Sequence, residues 1–79
     1  MSKKQIPKNQ LKRIKEISLF VRNWRINEGM SQNEFADLAE IHTNTLLNIE
    51  SGKNITLITL FNCIDSMNLT LQEFFKGME

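Results

Sequence analysis

The chain has 79 residues and one cysteine, and its ten Lys and Arg residues nearly balance its nine Asp and Glu residues. This length suits a single small domain, and one cysteine excludes an internal disulfide and a cysteine metal cluster. The longest apolar run, Leu19-Phe20-Val21, is too short for a signal peptide or for a membrane span of roughly 20 apolar residues. We therefore expect a cytoplasmic protein with no cofactor, no metal site and no membrane partner.

Charge is distributed unevenly along the chain. Residues 1–25 contain eight basic residues and one acidic residue, whereas residues 26–79 contain two basic and eight acidic residues. Residues 1–9 contain the only proline and show no periodicity, which predicts a flexible basic arm. Residues 10–79 are predicted to form one folded domain.

The first predicted helix runs from Leu11 to Gly29. Glycine suits the left-handed position just past a helix end. Apolar residues within the helix recur at i, i+3, i+4 and i+7, which is the spacing of a buried stripe. They are Ile17, Phe20, Val21 and Trp24.

Four further helix starts are indicated by local signals. Ser31 with Glu34, and Thr70 with Glu73, have the spacing of a capping box, in which the hydroxyl and the carboxylate each accept a backbone N–H. The apolar spacing that flanks these two boxes also flanks His42 and Thr56. Helices should therefore start near residues 31, 42, 56 and 70.

Each of these four helices has an apolar face, and Cys63 falls inside the third face, where it is predicted to pack in the core. No segment alternates as a strand would. The sequence therefore predicts an all-α domain of five short helices. The core faces are predicted at Phe35, Leu38 and Ala39; at Leu46 and Ile49; at Leu57, Leu60, Phe61 and Ile64; and at Leu71, Phe74 and Phe75.

Several residues occur in an order and spacing that are specific when taken together: Arg25, Gly29, Met30-Ser31-Gln32, Glu34-Phe35-Ala36, Ile41, Thr45-Leu46, Ile49-Glu50 and Gly52-Lys53. This pattern resembles the phage-repressor and Cro-type (XRE-like) helix-turn-helix family of bacterial and phage regulators. The resemblance covers residues 17–75 and implies a compact, lambda-repressor-like fold. In that fold helix two crosses the DNA backbone and helix three lies in the major groove. The resemblance also implies a structural ion pair between Arg25 and Glu50.

The third helix has a face suited to reading base edges. An amide matches the donor and acceptor of adenine, and Leu47 suits a thymine methyl. The face contains no Arg or Lys, so we expect an operator rich in A and T. The competing interpretation is an ordinary solvated face. The residues that share this arc are Thr43, Asn44, Leu47 and Asn48, predicted to contact bases, and Ser51, predicted to contact phosphate.

Further phosphate contacts are expected around the reading helices. The resemblance places Gln32 in the first turn of helix two, where free backbone amides attract anions. Arg22 and Lys53 lie beside the reading unit in the matched pattern. The basic arm either follows the DNA backbone, which would make affinity depend on salt, or is a solubilising tail.

Two positions depart from the family pattern. Glu40 stands in the turn between helices two and three, where glycine is common, so a positive φ is expected there. His42 stands where serine commonly caps helix three. Either His42 or Thr43 caps that helix, and a cap at Thr43 would cast doubt on its contact with a base.

The sequence thus predicts a transcriptional regulator that binds a two-fold symmetric operator in double-stranded DNA as a homodimer. Restriction–modification controllers are one subtype of this length. The alternative is an antitoxin or anti-repressor module that binds a protein partner, such as a toxin or RNA polymerase. No catalytic motif indicates an enzyme. Candidate dimer contacts, each alternatively buried within the monomer, are Leu71, Phe74, Phe75 and Met78.

Overall fold

The computed structural model describes residues 6–78, and within that range the chain contains helices and no strand. The all-α, five-helix prediction is confirmed. Among the described residues, no helix is long and apolar enough to cross a membrane. The helices are α1 (Lys8–Asn27), α2 (Gln32–Ala39), α3 (Thr43–Glu50), α4 (Leu57–Ser66) and α5 (Leu71–Lys76).

The first helix starts earlier than its apolar stripe predicts. Pro7 occupies the N-cap position with a φ of −57°, and its carbonyl accepts the backbone N–H of Gln10 and Leu11 at 3.0 Å. Proline suits a helix start because its fixed φ is already helical and it has no N–H to leave unpaired. Lys8 and Asn9, which the sequence assigned to the arm, are therefore helical, whereas residues 1–5 of the arm lie outside the described residues.

Side-chain caps begin three of the other helices at the predicted positions. The hydroxyls of Ser31 and Thr70 each accept the backbone N–H of a residue three positions later at 3.1 Å. The carboxylates of Glu34 and Glu73 accept the return hydrogen bonds at 2.8 and 2.9 Å. Both capping boxes are thus complete, and Thr56 caps α4 through its own hydroxyl.

Each of the first four helices ends in a Schellman motif. In this motif a residue in the left-handed conformation turns the chain, and the next N–H reaches back to a carbonyl five positions earlier. After α2, for example, the N–H of Ile41 donates to the carbonyl of Ala36 at 3.0 Å. The left-handed positions are Gly29, Glu40, Gly52 and Asn68, with φ values of 70°, 57°, 82° and 57°.

The core is built from all five helices and centres on Phe35, Leu46 and Phe74, which have no exposed surface. Cys63 is also fully buried, as predicted, and burial raises the pKa of its thiol to about 11. The ring of Phe74 packs edge-on against that of Phe20, with 4.6 Å between their centroids. This burial corrects the assignment of Phe74 to a dimer interface, because its side chain is not accessible to a second copy.

Five side chains predicted for the core are 40–68% exposed. The predicted apolar faces are wider than the area that neighbouring helices cover, because these helices are short and each packs along one side only. Met67 is buried instead, although no apolar pattern pointed to it. The exposed residues are Leu38, Leu57, Phe61, Leu71 and Phe75.

Candidate nucleic-acid interface

The ends of α1 and α3 are joined by an ion pair between Arg25 and Glu50. Arg25 Nε lies 2.7 Å from Glu50 Oε2, and Nη2 lies 3.0 Å from Oε1, so the contact is bidentate. The two side chains are only 11% and 5% exposed. The hydrogen bonds to Glu50 raise the pKa of the Arg25 guanidinium. The pair implied by the family resemblance is thus present.

Two further contacts extend this ion pair to α2 and the turn before it. Arg25 Nη1 donates to the carbonyl of Met30 at 2.8 Å. Gln32 Nε2 donates to Glu50 Oε1 at 3.2 Å, so the first residue of α2 is fixed to the last residue of α3. Sequence analysis assigned Gln32 to phosphate alone and did not predict this contact. One amide N–H and the amide oxygen of Gln32 remain for a ligand.

An open cavity of about 230 Å³ lies where α1, α2 and α3 meet. It brings together three of the four predicted phosphate residues, Arg22, Gln32 and Ser51, beside the predicted base-reading Leu47. Because Glu50 neutralises Arg25, the exposed Arg22 supplies the net positive charge of this cavity. Lys53, the fourth phosphate candidate, is exposed beyond the end of α3 and does not line the cavity.

The recognition arc is the set of α3 residues predicted to face DNA: Thr43, Asn44, Leu47, Asn48 and Ser51. Four of them are exposed and Thr43 is half-buried, while Leu46 and Ile49 on the opposite side are buried. Ser51 Oγ donates to the carbonyl of Asn48 at 3.1 Å, which holds the hydroxyl against the end of the helix. The structure therefore presents the arc as one accessible surface next to the cavity.

The start of α3 settles which residue occupies its N-cap position. His42 occupies it without a side-chain hydrogen bond, and Thr43 is the first helical residue. The alternative start at Thr43 is not adopted. The Thr43 hydroxyl instead donates to Asn33 Oδ1 of α2 at 2.8 Å. Sequence analysis missed Asn33, because this contact depends on how α2 and α3 cross rather than on any spacing along the chain.

Two of the four acidic residues in residues 30–53 make contacts within the fold. Glu50 is paired with Arg25, and Glu34 accepts the Ser31 N–H. That hydrogen bond lowers the pKa of Glu34 and keeps it charged. Asp37 and Glu40 are exposed, and neither lines the cavity beside the recognition arc. Of the acids in this segment, only Glu50 lines the cavity, and there it is paired with Arg25.

Comparison with known proteins gives one family and one fold. The family described as helix-turn-helix matches residues 21–74. Two similar solved structures are tyrosine-to-phenylalanine and tyrosine-to-alanine mutants of the restriction-modification controller protein C.Esp1396I. The first has a TM-score of 0.75 at 20% identity and covers 82% of this chain and 84% of that chain. The second has a TM-score of 0.74 at 20% identity and covers 82% of this chain and 86% of that chain. No curated protein matches the chain.

Proposed function

Because the chain belongs to the helix-turn-helix family of DNA-binding transcription regulators, we propose that it binds a two-fold symmetric operator as a homodimer. In each copy α3 lies in the major groove and α2 crosses the backbone, as in other helix-turn-helix proteins. One observation carries the proposal: the accessible recognition arc of α3 lies beside the cavity lined by Arg22, Gln32 and Ser51. Bases and phosphates are then reached from neighbouring surfaces.

The recognition arc reads sequence through neutral groups. The exposed amides of Asn44 and Asn48 can each donate and accept in one plane, which matches the N6 and N7 edge of adenine. Leu47 is 42% exposed and packs on a thymine methyl. Since the arc contains no arginine or lysine to read guanine, the operator is rich in A and T.

Phosphates are held around the cavity and at the start of α2. Arg22 supplies charge, the remaining amide N–H of Gln32 donates a hydrogen bond, and the first backbone N–H groups of α2 attract the anion. The Ser51 hydroxyl contributes by turning its proton from the Asn48 carbonyl to the phosphate. Lys53 adds a second cation after α3. The basic charges of residues 1–9 add to the affinity for phosphate. Removal of residues 1–6, before the first helical turn, then reduces the dependence of affinity on salt, whereas a solubilising tail leaves it unaltered.

The dimer forms through apolar side chains exposed on α4 and α5. Leu57, Ile58 and Phe61 lie within one turn of α4 and are 68%, 73% and 40% exposed. Phe61 and Leu71 line one groove between the two helices. We define the α4–α5 surface as these four residues. Two copies are required because one α3 helix reads only a few base pairs, and paired helices reach half-sites about 34 Å apart.

The other two candidates for dimer contacts lie elsewhere. Phe75 is 45% exposed, and Met78 is half-buried against the core. Both line a different groove, with Ile17 and Arg13 of α1. Leu71 is therefore the candidate that shares a surface with the exposed residues of α4.

The alternative function is an antitoxin or anti-repressor that binds a protein partner through the same scaffold. The exposed Leu47 and the excess of acidic residues in the folded body favour it. Among DNA-binding functions, a controller subtype is supported by the similarity of this fold to that of a restriction-modification controller protein.

Selection of random duplex DNA by the purified protein tests these proposals. A two-fold symmetric, A/T-rich motif is the expected result. A G-rich half-site contacted by α3 would overturn the proposed base readout. Weak, salt-sensitive binding without any motif would overturn operator binding and favour the protein-partner function.

A further inference from the structure

The first turns of α2 and α3 are joined by a side-chain hydrogen bond. The Thr43 hydroxyl donates to Asn33 Oδ1 at 2.8 Å. Asn33 is exposed in the first turn of α2, and Thr43 is the half-buried first residue of α3. In the proposed complex with DNA, this contact joins the helix that crosses the backbone to the helix that reads bases.

This hydrogen bond determines what Thr43 can offer to a base. A threonine hydroxyl has a single proton to donate and lone pairs that accept. Because Asn33 takes the proton, the Thr43 oxygen is left as an acceptor only. Its γ-methyl group is held in one orientation for the same reason, since rotation about χ1 would break the contact with Asn33.

The major groove distinguishes bases by donors and acceptors. Adenine and cytosine present an amino donor, whereas guanine presents two acceptors there. An acceptor-only hydroxyl therefore matches adenine or cytosine and leaves guanine without a donor. A free threonine hydroxyl would rotate and satisfy either class. The restriction comes from Asn33, although Asn33 itself need not touch a base.

We propose that Asn33 is a specificity-determining positioning residue, which makes the base opposite Thr43 an adenine or a cytosine by keeping the Thr43 hydroxyl from donating. The inference rests on the proposed function, because it assigns a base preference within the same operator. It adds α2 to the surface that determines sequence, through a residue outside the recognition arc.

Site selection with four variants tests this role. Thr43→Val removes the hydroxyl and should abolish the preference at one position of each half-site. Asn33→Ala frees the hydroxyl and should weaken discrimination against guanine at that same position by about three- to tenfold, the range expected for one hydrogen bond. Asn33→Asp retains an acceptor oxygen and should keep the base preference, even if its charge lowers overall affinity. Gln72→Ala, an exposed amide change on α5, serves as the control.

Two readouts separate this inference from the proposed function. A wild-type motif that Asn33→Ala leaves unchanged overturns the inference and leaves operator binding intact. Absence of any wild-type motif overturns both. Without DNA, unfolding of Asn33→Ala, Thr43→Val and the double variant should be non-additive, because the two residues share one hydrogen bond. Additive changes would show that the bond does not form in solution and would overturn the inference.

Discussion

Arg25 and Glu50 lie 25 positions apart in the chain, and their side chains meet in two hydrogen bonds of 2.7 and 3.0 Å. The contact fixes the end of α1 to the end of α3. Gln32 binds the same carboxylate, so α2 is tied to this point as well. One glutamate therefore links the three helices that surround the cavity.

Arg25→Ala should destabilise the protein by about 2–4 kcal/mol. The substitution leaves Glu50 charged and poorly solvated; the cost is somewhat below that of a fully buried pair, because the cavity admits water. The stability of Arg25→Lys should lie between those of wild type and Arg25→Ala, since lysine cannot form the bidentate contact. Urea denaturation measures the effect, with the exposed Arg22→Ala as control. Equal midpoints for Arg25→Ala and Arg22→Ala would contradict a structural role for the pair.

Glu34 should make stability depend on pH in the acid range. Its pKa is lowered by the hydrogen bond from the Ser31 N–H, so its charged form stabilises the fold above the unfolded pKa of about 4.3. That stabilisation is lost as pH falls through the folded pKa. Glu34→Gln keeps a capping oxygen but not the charge. It should therefore be less stable than wild type at neutral pH and equally stable in acid.

Thermal unfolding between pH 7 and pH 3 measures this convergence. Asp37→Asn removes a charge from the same helix without removing a cap, so it reports the effect of net charge alone. A gap between wild type and Glu34→Gln that stays constant across the range would show that the cap does not depend on ionisation.

Glu40→Gly should stabilise the protein by about 0.5–1 kcal/mol. Glu40 holds a φ of 57°, a conformation that costs a side chain about 1–2 kcal/mol. Glycine removes this cost, but its greater freedom in the unfolded chain cancels part of the gain. Asn68 has the same φ, but asparagine adopts it more readily, so Asn68→Gly should gain less. Calorimetry compares the two. An equal gain at both positions would show that strain at Glu40 is not specific to its side chain.

Asn44→Ala should reduce discrimination between the selected operator and single-base variants by about 1–3 kcal/mol. Asn44 is exposed in the recognition arc, so the fold should be retained. Competition binding to operator variants measures the change. Gln72→Ala, which removes an exposed amide on α5 rather than on α3, is the control. Unchanged discrimination would remove Asn44 from the base contacts.

Phe61→Glu should shift the protein from dimer to monomer. The substitution places a charge in the α4–α5 surface, where Phe61 is 40% exposed and lies outside the buried core cluster. Leu19→Glu changes a 56% exposed residue of α1 and is the matched control. Sedimentation equilibrium measures the dissociation constant. A dimer that Leu19→Glu weakens more than Phe61→Glu would place the interface on α1.

Helix boundaries were largely predictable because the signals that set them are local. A capping box joins residues three positions apart and a Schellman motif joins residues five positions apart. Local sequence was therefore enough to identify the helix starts and ends at Ser31, Thr56, Thr70, Gly29 and Gly52. The start of α1 was missed for a related reason. Its first turns carry no apolar stripe, and Pro7, a local start signal, was assigned to the arm instead.

Contacts between helices were harder to predict from the sequence. Apolar spacing identified the stripe that contains Phe61, but how much of a stripe is covered depends on the neighbouring helices. The Arg25–Glu50 pair was anticipated only through the family resemblance. The contacts Gln32–Glu50 and Asn33–Thr43 depend on the packing of α2 against α3, for which the spacing of residues carries no signal.

The two sides of α3 separate what this helix needs to fold from what it presents to a ligand. Leu46 and Ile49 are buried in the core, while Asn44, Leu47 and Asn48 are exposed. Exchange of exposed side chains generally changes stability little. Under the proposed base readout, two descendants of this chain could therefore diverge to separate operators by substitutions at these three positions while the fold is retained. If α3 reads bases as proposed, the same property makes it a practical starting point for directing the protein to a chosen DNA sequence.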